Sequence, residues 1–92
     1  MERKVELERL IVDVVRTLRD ANMHETLHVF DVRVLSLDPA HLFELSEDGS
    51  EPHFKPMLEL LLRELTALAS MTALTPTARH IRAVEVMHLA GF

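Results

Sequence analysis

The sequence predicts an α+β fold, in which two helices pack on one face of a small antiparallel sheet. Two leucine-rich segments repeat their apolar residues every three or four positions, as amphipathic helices do. Each is followed by a valine-containing segment with partial apolar/polar alternation, which is typical of a half-buried strand. The predicted order is helix, strand, an optional second strand, helix and strand. The chain is expected to form one domain over residues 1–92.

The first helix is predicted over residues 3–21. Its apolar stripe consists of Leu7, Leu10, Ile11, Val14, Leu18 and Ala21. The pairs Arg9–Asp13 and Arg16–Asp20 lie four residues apart on the other face, where opposite charges interact weakly. This pattern indicates a surface helix with its charged side in water.

Residues 27–37 are predicted to form a strand. Phe30, Val32 and Val34 would share one face, and β-branched side chains pack well on a pleated surface. The alternative is a helix that begins at Asn22, with Glu25 completing a capping box. Read as a helix, however, the segment has apolar residues all around its circumference, and the strand is therefore favoured.

The middle of the chain reads as a turn, a possible strand and a loop. Asp38–Pro39 favours a turn at 38–41, although Asp-Pro can also begin a helix. Residues 41–46 could return as the second strand of a hairpin. Residues 47–52 are polar and acidic and contain a glycine, which indicates a loop.

The second helix is predicted to run from about residue 56 to residue 70. Its polar strip is narrow and consists of Glu59, Arg63, Thr66 and Ser70. A helix that is apolar over most of its circumference is expected to be buried on more than one side. One side can cover the sheet, and the other side is predicted to contact a partner.

The last segment, 79–90, is predicted to be a strand. Thr75–Pro76 and Gly91 are helix start and stop signals, but the apolar residues between them form no helical stripe. Residues 80–89 also match residues 28–37, with identities His28/His80, Val32/Val84, Val34/Val86 and Leu37/Leu89. The match suggests a pseudo-symmetric domain, although a chain rich in valine and leucine gives such matches by chance. The alternative for the whole chain is an all-α bundle of four or five helices, favoured by scarce glycine and by possible helix starts at Asn22, Asp38 and Thr75.

The amino-acid composition argues against several classes of function. The absence of cysteine excludes disulfides, thiolate metal sites and cysteine nucleophiles, and suits a cytoplasmic protein. No segment has the length of apolar sequence that a membrane helix needs. A net charge of −5 and only 4% aromatic residues argue against nucleic-acid binding.

No motif in the chain requires a particular chemistry. The six histidines are His24, His28, His41, His53, His80 and His88. His24 and His28 lie four residues apart, a spacing that brings two histidines together for a metal only when both lie on one helix, and the predicted helix–strand junction separates them. His80 and His88 would lie too far apart on a strand to share one metal ion. No phosphate-binding loop or nucleophile elbow is present. The prediction is therefore a non-enzymatic protein with no catalytic residue, cofactor or metal.

The predicted function is a protein–protein interaction or adaptor module that acts as a homodimer. The predicted interaction residues are Leu58, Leu61, Leu62, Leu65, Leu68, Val32 and Val34. Their apolar faces exceed what one small domain is expected to cover, and two-fold homodimers are the commonest remedy. A charged residue at Leu61 is predicted to change the oligomeric state. One alternative is a small-ligand or metal-binding protein with a histidine-lined cleft. Another is an acidic inhibitor that mimics nucleic acid through the carboxylates of residues 44–51.

Overall fold

Helices make up most of the computed structural model, which describes residues 2–45, 47–49 and 52–92. The α-helices are α1 (Glu2–Asp20), α2 (His24–Phe30), α3 (Pro39–Leu42), α4 (Lys55–Ala69) and α5 (Pro76–Leu89). A π-helical segment, Asp31–Leu35, continues α2 without a break. Residues 24–35 therefore form one helical rod.

The α+β prediction is wrong, because no described residue belongs to a sheet. The predicted strands over 27–37 and 79–90 lie mainly in α2 with its π-helical segment and in α5. Of the optional strand at 41–46, residues 41 and 42 belong to α3 and Leu45 forms an isolated antiparallel bridge with Pro52. Residue 46 lies outside the described residues. The all-α alternative is confirmed.

Burial explains why residues 27–37 are helical despite their valines. Each valine lowers helix stability by only about 0.5 kcal/mol relative to alanine. The helical conformation places Thr26, Phe30 and Val34 on one side, and all three are fully buried. Burying a large apolar side chain contributes about 1.5–3 kcal/mol, which outweighs the propensity cost. Tertiary packing therefore decides the conformation of this segment.

Residues 76–89 are helical because both ends carry strong local signals. The Thr75 hydroxyl accepts a hydrogen bond from the Ala78 amide at 3.1 Å, and Pro76 occupies the first turn. At the other end Gly91 has a φ of +98°, and the Phe92 amide donates to the Met87 carbonyl at 2.8 Å. This backbone pattern is a Schellman motif, which ends a helix. The sequence signals for a helix at 76–89 were correct, and the strand pattern was misleading.

Asn22 ends α1 and does not cap α2 through its side chain. It has a φ of +57°, and the Met23 amide donates to the Leu18 carbonyl at 2.8 Å. These features form a second Schellman motif, with Asn22 in the left-handed position that asparagine tolerates. The residue that precedes α2 is Met23, and it makes no side-chain capping bond. The predicted capping box of Asn22 and Glu25 is therefore wrong, although a helix does begin nearby.

The helices form two stacked hairpins, α1 with α2 and α4 with α5. Helix α1 packs against α2 and α4, and α5 packs against α2 and α4. Glu6 contacts Lys55 at 3.1 Å near the start of α1 and α4, so these helices run parallel. Thr26 contacts His80 at 2.8 Å near the start of α2 and α5, so these also run parallel. The molecule measures 42 × 21 × 21 Å.

A single hydrophobic core runs between the two hairpins. Its buried members are Leu7, Val14, Leu18, Met23, Phe30, Val34, Leu42, Phe54, Leu58, Leu61, Leu65, Leu68, Ala83, Met87 and Ala90. Helix α4 contributes four of the leucines and lies against both α1 and α5. These four leucines lie on one face of α4, which α1 and α5 cover together, whereas Leu60 is exposed. Helices of the same chain therefore supply the cover that was predicted to come from a partner.

The two matching segments occupy related places in the fold. Each belongs to the second helix of a hairpin, and the two helices lie side by side. The matched residues differ in burial, however. Val34 is fully buried while Val86 is half-buried, and Leu37 is half-buried while Leu89 is exposed. The similarity therefore extends to the hairpin arrangement and not to the environments of individual residues.

Candidate functional site

The parallel pair formed by α5 and by α2 with its π-helical segment, called the α2–α5 layer below, carries two concave sites. The first, the N-terminal cleft, lies where both helices begin and has a volume of about 410 Å³. It is lined by Ala21, Asn22, Met23, His24, Glu25, Thr26, Pro76, Thr77, Arg79 and His80. The second, the lateral groove, has a volume of about 450 Å³ and is lined by Arg33, Val84, Glu85, His88 and Leu89.

A polar joint in the N-terminal cleft connects α2 to α5. The Thr26 hydroxyl lies 2.8 Å from His80 Nδ1, and His80 Nε2 lies 3.6 Å from a carboxylate oxygen of Glu25. Thr26 is the buried polar residue of the core, so this bond satisfies a hydroxyl that would otherwise be costly to bury. Because a hydroxyl can donate or accept, it can pair with neutral or protonated imidazole.

This hydroxyl, imidazole and carboxylate have the residue types of a nucleophilic triad but not its geometry. A nucleophile must reach a substrate carbon, and the Thr26 side chain is fully buried in the helix packing. The Glu25–His80 separation of 3.6 Å also exceeds hydrogen-bond length, and Glu25 is exposed. The arrangement is therefore best explained as a joint between helices.

Arg79 is the unusual residue of the N-terminal cleft. Its Nε atom is buried and has no hydrogen-bond partner among the described residues. Buried donors in proteins are nearly always paired, so an unpaired guanidinium nitrogen in a cleft wall requires an explanation. No sequence pattern indicated this, because Arg79 comes next to residues of α2 only through the packing of the hairpins.

The three most exposed large apolar side chains of the described chain lie on the α2–α5 layer, and one of them lines the lateral groove. Leu89 is 82% exposed, Val32 is 58% exposed and Ile81 is 54% exposed. Leu89 lines the groove directly, Ile81 lies one turn before Glu85 on α5, and Val32 lies on the π-helical segment outside the groove lining. Exposed apolar residues that cluster are a mark of interaction surfaces, whereas scattered ones are ordinary.

The predicted interaction residues are divided between the core and this surface. Leu58, Leu61, Leu65, Leu68 and Val34 are buried within the chain. Leu62 is half-buried and packs against the core. Val32 alone among the seven is exposed. Sequence reasoning missed Ile81 and Leu89 as surface residues, although their lack of a helical stripe was the available signal.

The histidines do not converge on a metal site. Within the described part of the chain, no group of three or more histidine and carboxylate side chains could hold a metal ion. His24 and His28 do lie four apart on α2, so the junction proposed from the sequence does not separate them. They line a shallow groove with the apolar residues Val15, Leu27 and Leu35.

The acidic segment forms part of the surface near α4. Glu44, Glu47 and Asp48 are exposed, and Glu51 lies outside the described residues. Glu44 faces His41 at 3.7 Å, so one of these carboxylates has a basic neighbour. This segment lies far from the N-terminal cleft along the chain and contributes no residue to it.

Among the described residues, no helix combines the length and apolar character needed to cross a membrane. No protein-family model matches the chain, and no curated protein or solved structure matches it significantly.

Proposed function

We propose that the protein is a non-enzymatic interaction module that forms a homodimer through the outer surface of the α2–α5 layer. The proposed contact residues are Val32, Ile81, Val84 and Leu89, with Arg33 and Glu85 beside them. The observation that carries the proposal is the position of the three most exposed large apolar side chains of the described chain, which all belong to this layer.

The charges of the lateral groove favour a second copy as the partner. Arg33 and Glu85 have opposite signs and line the same groove. In a two-fold contact each surface meets its own copy, so Arg33 of one protomer can approach Glu85 of the other. A surface with one sign of charge would repel itself in this geometry. The surface is therefore suited to self-association.

The proposal also gives a reason for the misleading strand pattern. Val32 and Ile81 lie in segments that look like strands because their apolar residues do not follow a helical stripe. In the folded helices the same residues are left on the outside. A sequence that departs from local rules often does so at functional positions. The departure therefore supports a role for these residues outside the core.

The test is the mass of the protein in solution for a pair of charged variants. Ile81→Glu introduces a carboxylate into the proposed interface, and Val12→Glu introduces one at a valine of similar exposure (49%) on α1. Multi-angle light scattering should give about twice the chain mass of 10.5 kDa for the wild type and for Val12→Glu. Ile81→Glu should give the mass of one chain while its circular dichroism spectrum remains helical.

The proposal would be overturned if the wild-type protein were a folded monomer over the whole concentration range in which weak dimers form. Equal loss of dimer in both variants would show that the contact does not lie on the α2–α5 layer. Leu61→Glu is not a useful test, because Leu61 is fully buried and a carboxylate there would unfold the chain.

The proposed setting is the cytoplasm, which the absence of cysteine supports. The module would act through protein contacts and not through nucleic acid or a membrane, in keeping with the net charge of −5. If this surface binds a different protein instead of a second copy, the purified wild type will have the mass of one chain in the light-scattering test.

A further inference from the structure

We infer that the N-terminal cleft binds a small molecule bearing a carboxylate or phosphate group. This site is distinct from the proposed dimer surface, because none of its lining residues lines the lateral groove. A volume of about 410 Å³ is within the range of small-molecule sites. The inference rests on the side chains that converge there.

Arg79 carries the argument for an anion. Its Nε is buried and unpaired among the described residues, although the residue lines an open cleft. A guanidinium group binds carboxylate and phosphate oxygens through its N–H donors, in bonds about twice as strong as neutral ones. Because the Nε atom itself is closed to solvent, an anion would reach the guanidinium group from the cleft side, where Arg79 forms part of the lining.

The neighbouring side chains suit the same ligand. Thr77 and Asn22 present hydrogen-bond donors at the exposed edge of the cleft, and the His24 imidazole also lines it. Glu25 is the acidic residue of the lining, and it faces His80 Nε2 at 3.6 Å. With Glu25 directed at His80, Arg79 remains as the cation without a carboxylate partner among the described residues.

The probes are inorganic phosphate and acetate, added separately to ¹⁵N-labelled protein and followed by NMR. The inference predicts saturable shifts of amide signals from residues 21–26 and 77–80 with at least one probe. Sodium chloride at matched ionic strength should not produce them. The stronger response identifies phosphate or carboxylate as the preferred group. Absence of saturable shifts in these residues with both probes would overturn the inference.

Matched variants separate Arg79 from general charge effects. Arg79→Met should weaken binding of the preferred probe by about tenfold or more, as expected when a charged hydrogen bond is removed. Arg82→Met removes the same charge three residues later on α5, outside the cleft lining, and should leave binding within about twofold. Unchanged affinity in a folded Arg79→Met protein would contradict the inference. If that variant does not fold, the wild-type shift map remains decisive.

Discussion

Thr26 and His80 show how a single polar contact fixes the relation of two helices. Thr26 is fully buried, and His80 Nδ1, from the other hairpin, lies within hydrogen-bond distance of its hydroxyl. The two residues are separated by 54 positions in the sequence. Their contact specifies where along α2 the helix α5 must lie, because any shift would leave the Thr26 hydroxyl unpaired.

Thr26→Val should lower the free energy of unfolding by about 1 kcal/mol, because it removes the partner of His80 while retaining the size of the side chain. Thr66→Val is the control, since the Thr66 hydroxyl bonds only the Leu62 carbonyl on the exposed surface of its own helix. That variant should change stability by less than about 0.5 kcal/mol. Urea unfolding followed by circular dichroism measures both. Equal losses would indicate that the inter-helix bond contributes little.

Asn22 provides a second prediction for a single residue. Because its φ is +57°, Asn22→Gly should leave stability unchanged or raise it slightly. Asn22→Ala should cost about 1 kcal/mol, since alanine is strained in the left-handed conformation. Thermal unfolding of the two variants compares them directly. A Gly variant less stable than the Ala variant would contradict the assignment of Asn22 as the residue that ends α1.

At the scale of elements, α4 is the helix on which the core depends. Its buried leucines lie at positions 58, 61, 65 and 68, the spacing that places side chains on one helical face. That face lies between α1 and α5. The sequence predicted both the helix and its unusually wide apolar surface. It did not show that two helices of the same chain, α1 and α5, cover the apolar residues of α4.

The contrast between neighbouring leucines of α4 tests this view. Leu61→Ala should reduce the free energy of unfolding by about 2–5 kcal/mol, because it leaves a cavity in the core. Leu60→Ala removes the same atoms from an exposed position on the next face and should cost less than about 1 kcal/mol. Denaturant unfolding of both variants gives the comparison. Similar losses would mean that Leu61 is not enclosed as described.

At the scale of the whole molecule, one core joins both hairpins. Residues of α1, α2, α4 and α5 belong to the same buried cluster, so neither hairpin can cover its own apolar face alone. In the monomeric Ile81→Glu variant we therefore expect a single cooperative unfolding transition, with equal calorimetric and van't Hoff enthalpies. Differential scanning calorimetry measures both. Two separate transitions would show that the hairpins fold independently.

Much of the helical content could be predicted from local signals. The stripe of α1, the leucines of α4 and the cap residues Thr75 and Gly91 each identify a helix or its end. The failures concern 27–37 and 79–90, where apolar residues do not follow a helical stripe. Local pattern rules assume that apolar residues face a core, and Val32, Ile81 and Leu89 do not.

The candidate sites were much less predictable than the helices. The N-terminal cleft joins Glu25 and Thr26 to Arg79 and His80, residues that no sequence spacing relates. The lateral groove likewise needs Arg33 beside Glu85. In both cases the chemistry depends on which helices lie side by side, and local sequence does not specify that.

The sequence by itself determined the lengths of the two leucine-rich helices and the absence of cysteine chemistry. These follow from local periodicity, capping chemistry and residue counts. Only the tertiary structure decided that residues 27–37 are mainly helical and that α2 lies parallel to α5. The physical reason is that burial of Phe30, Val34 and Met87 between hairpins outweighs weak local preferences. The same packing leaves Val32, Ile81 and Leu89 on the surface.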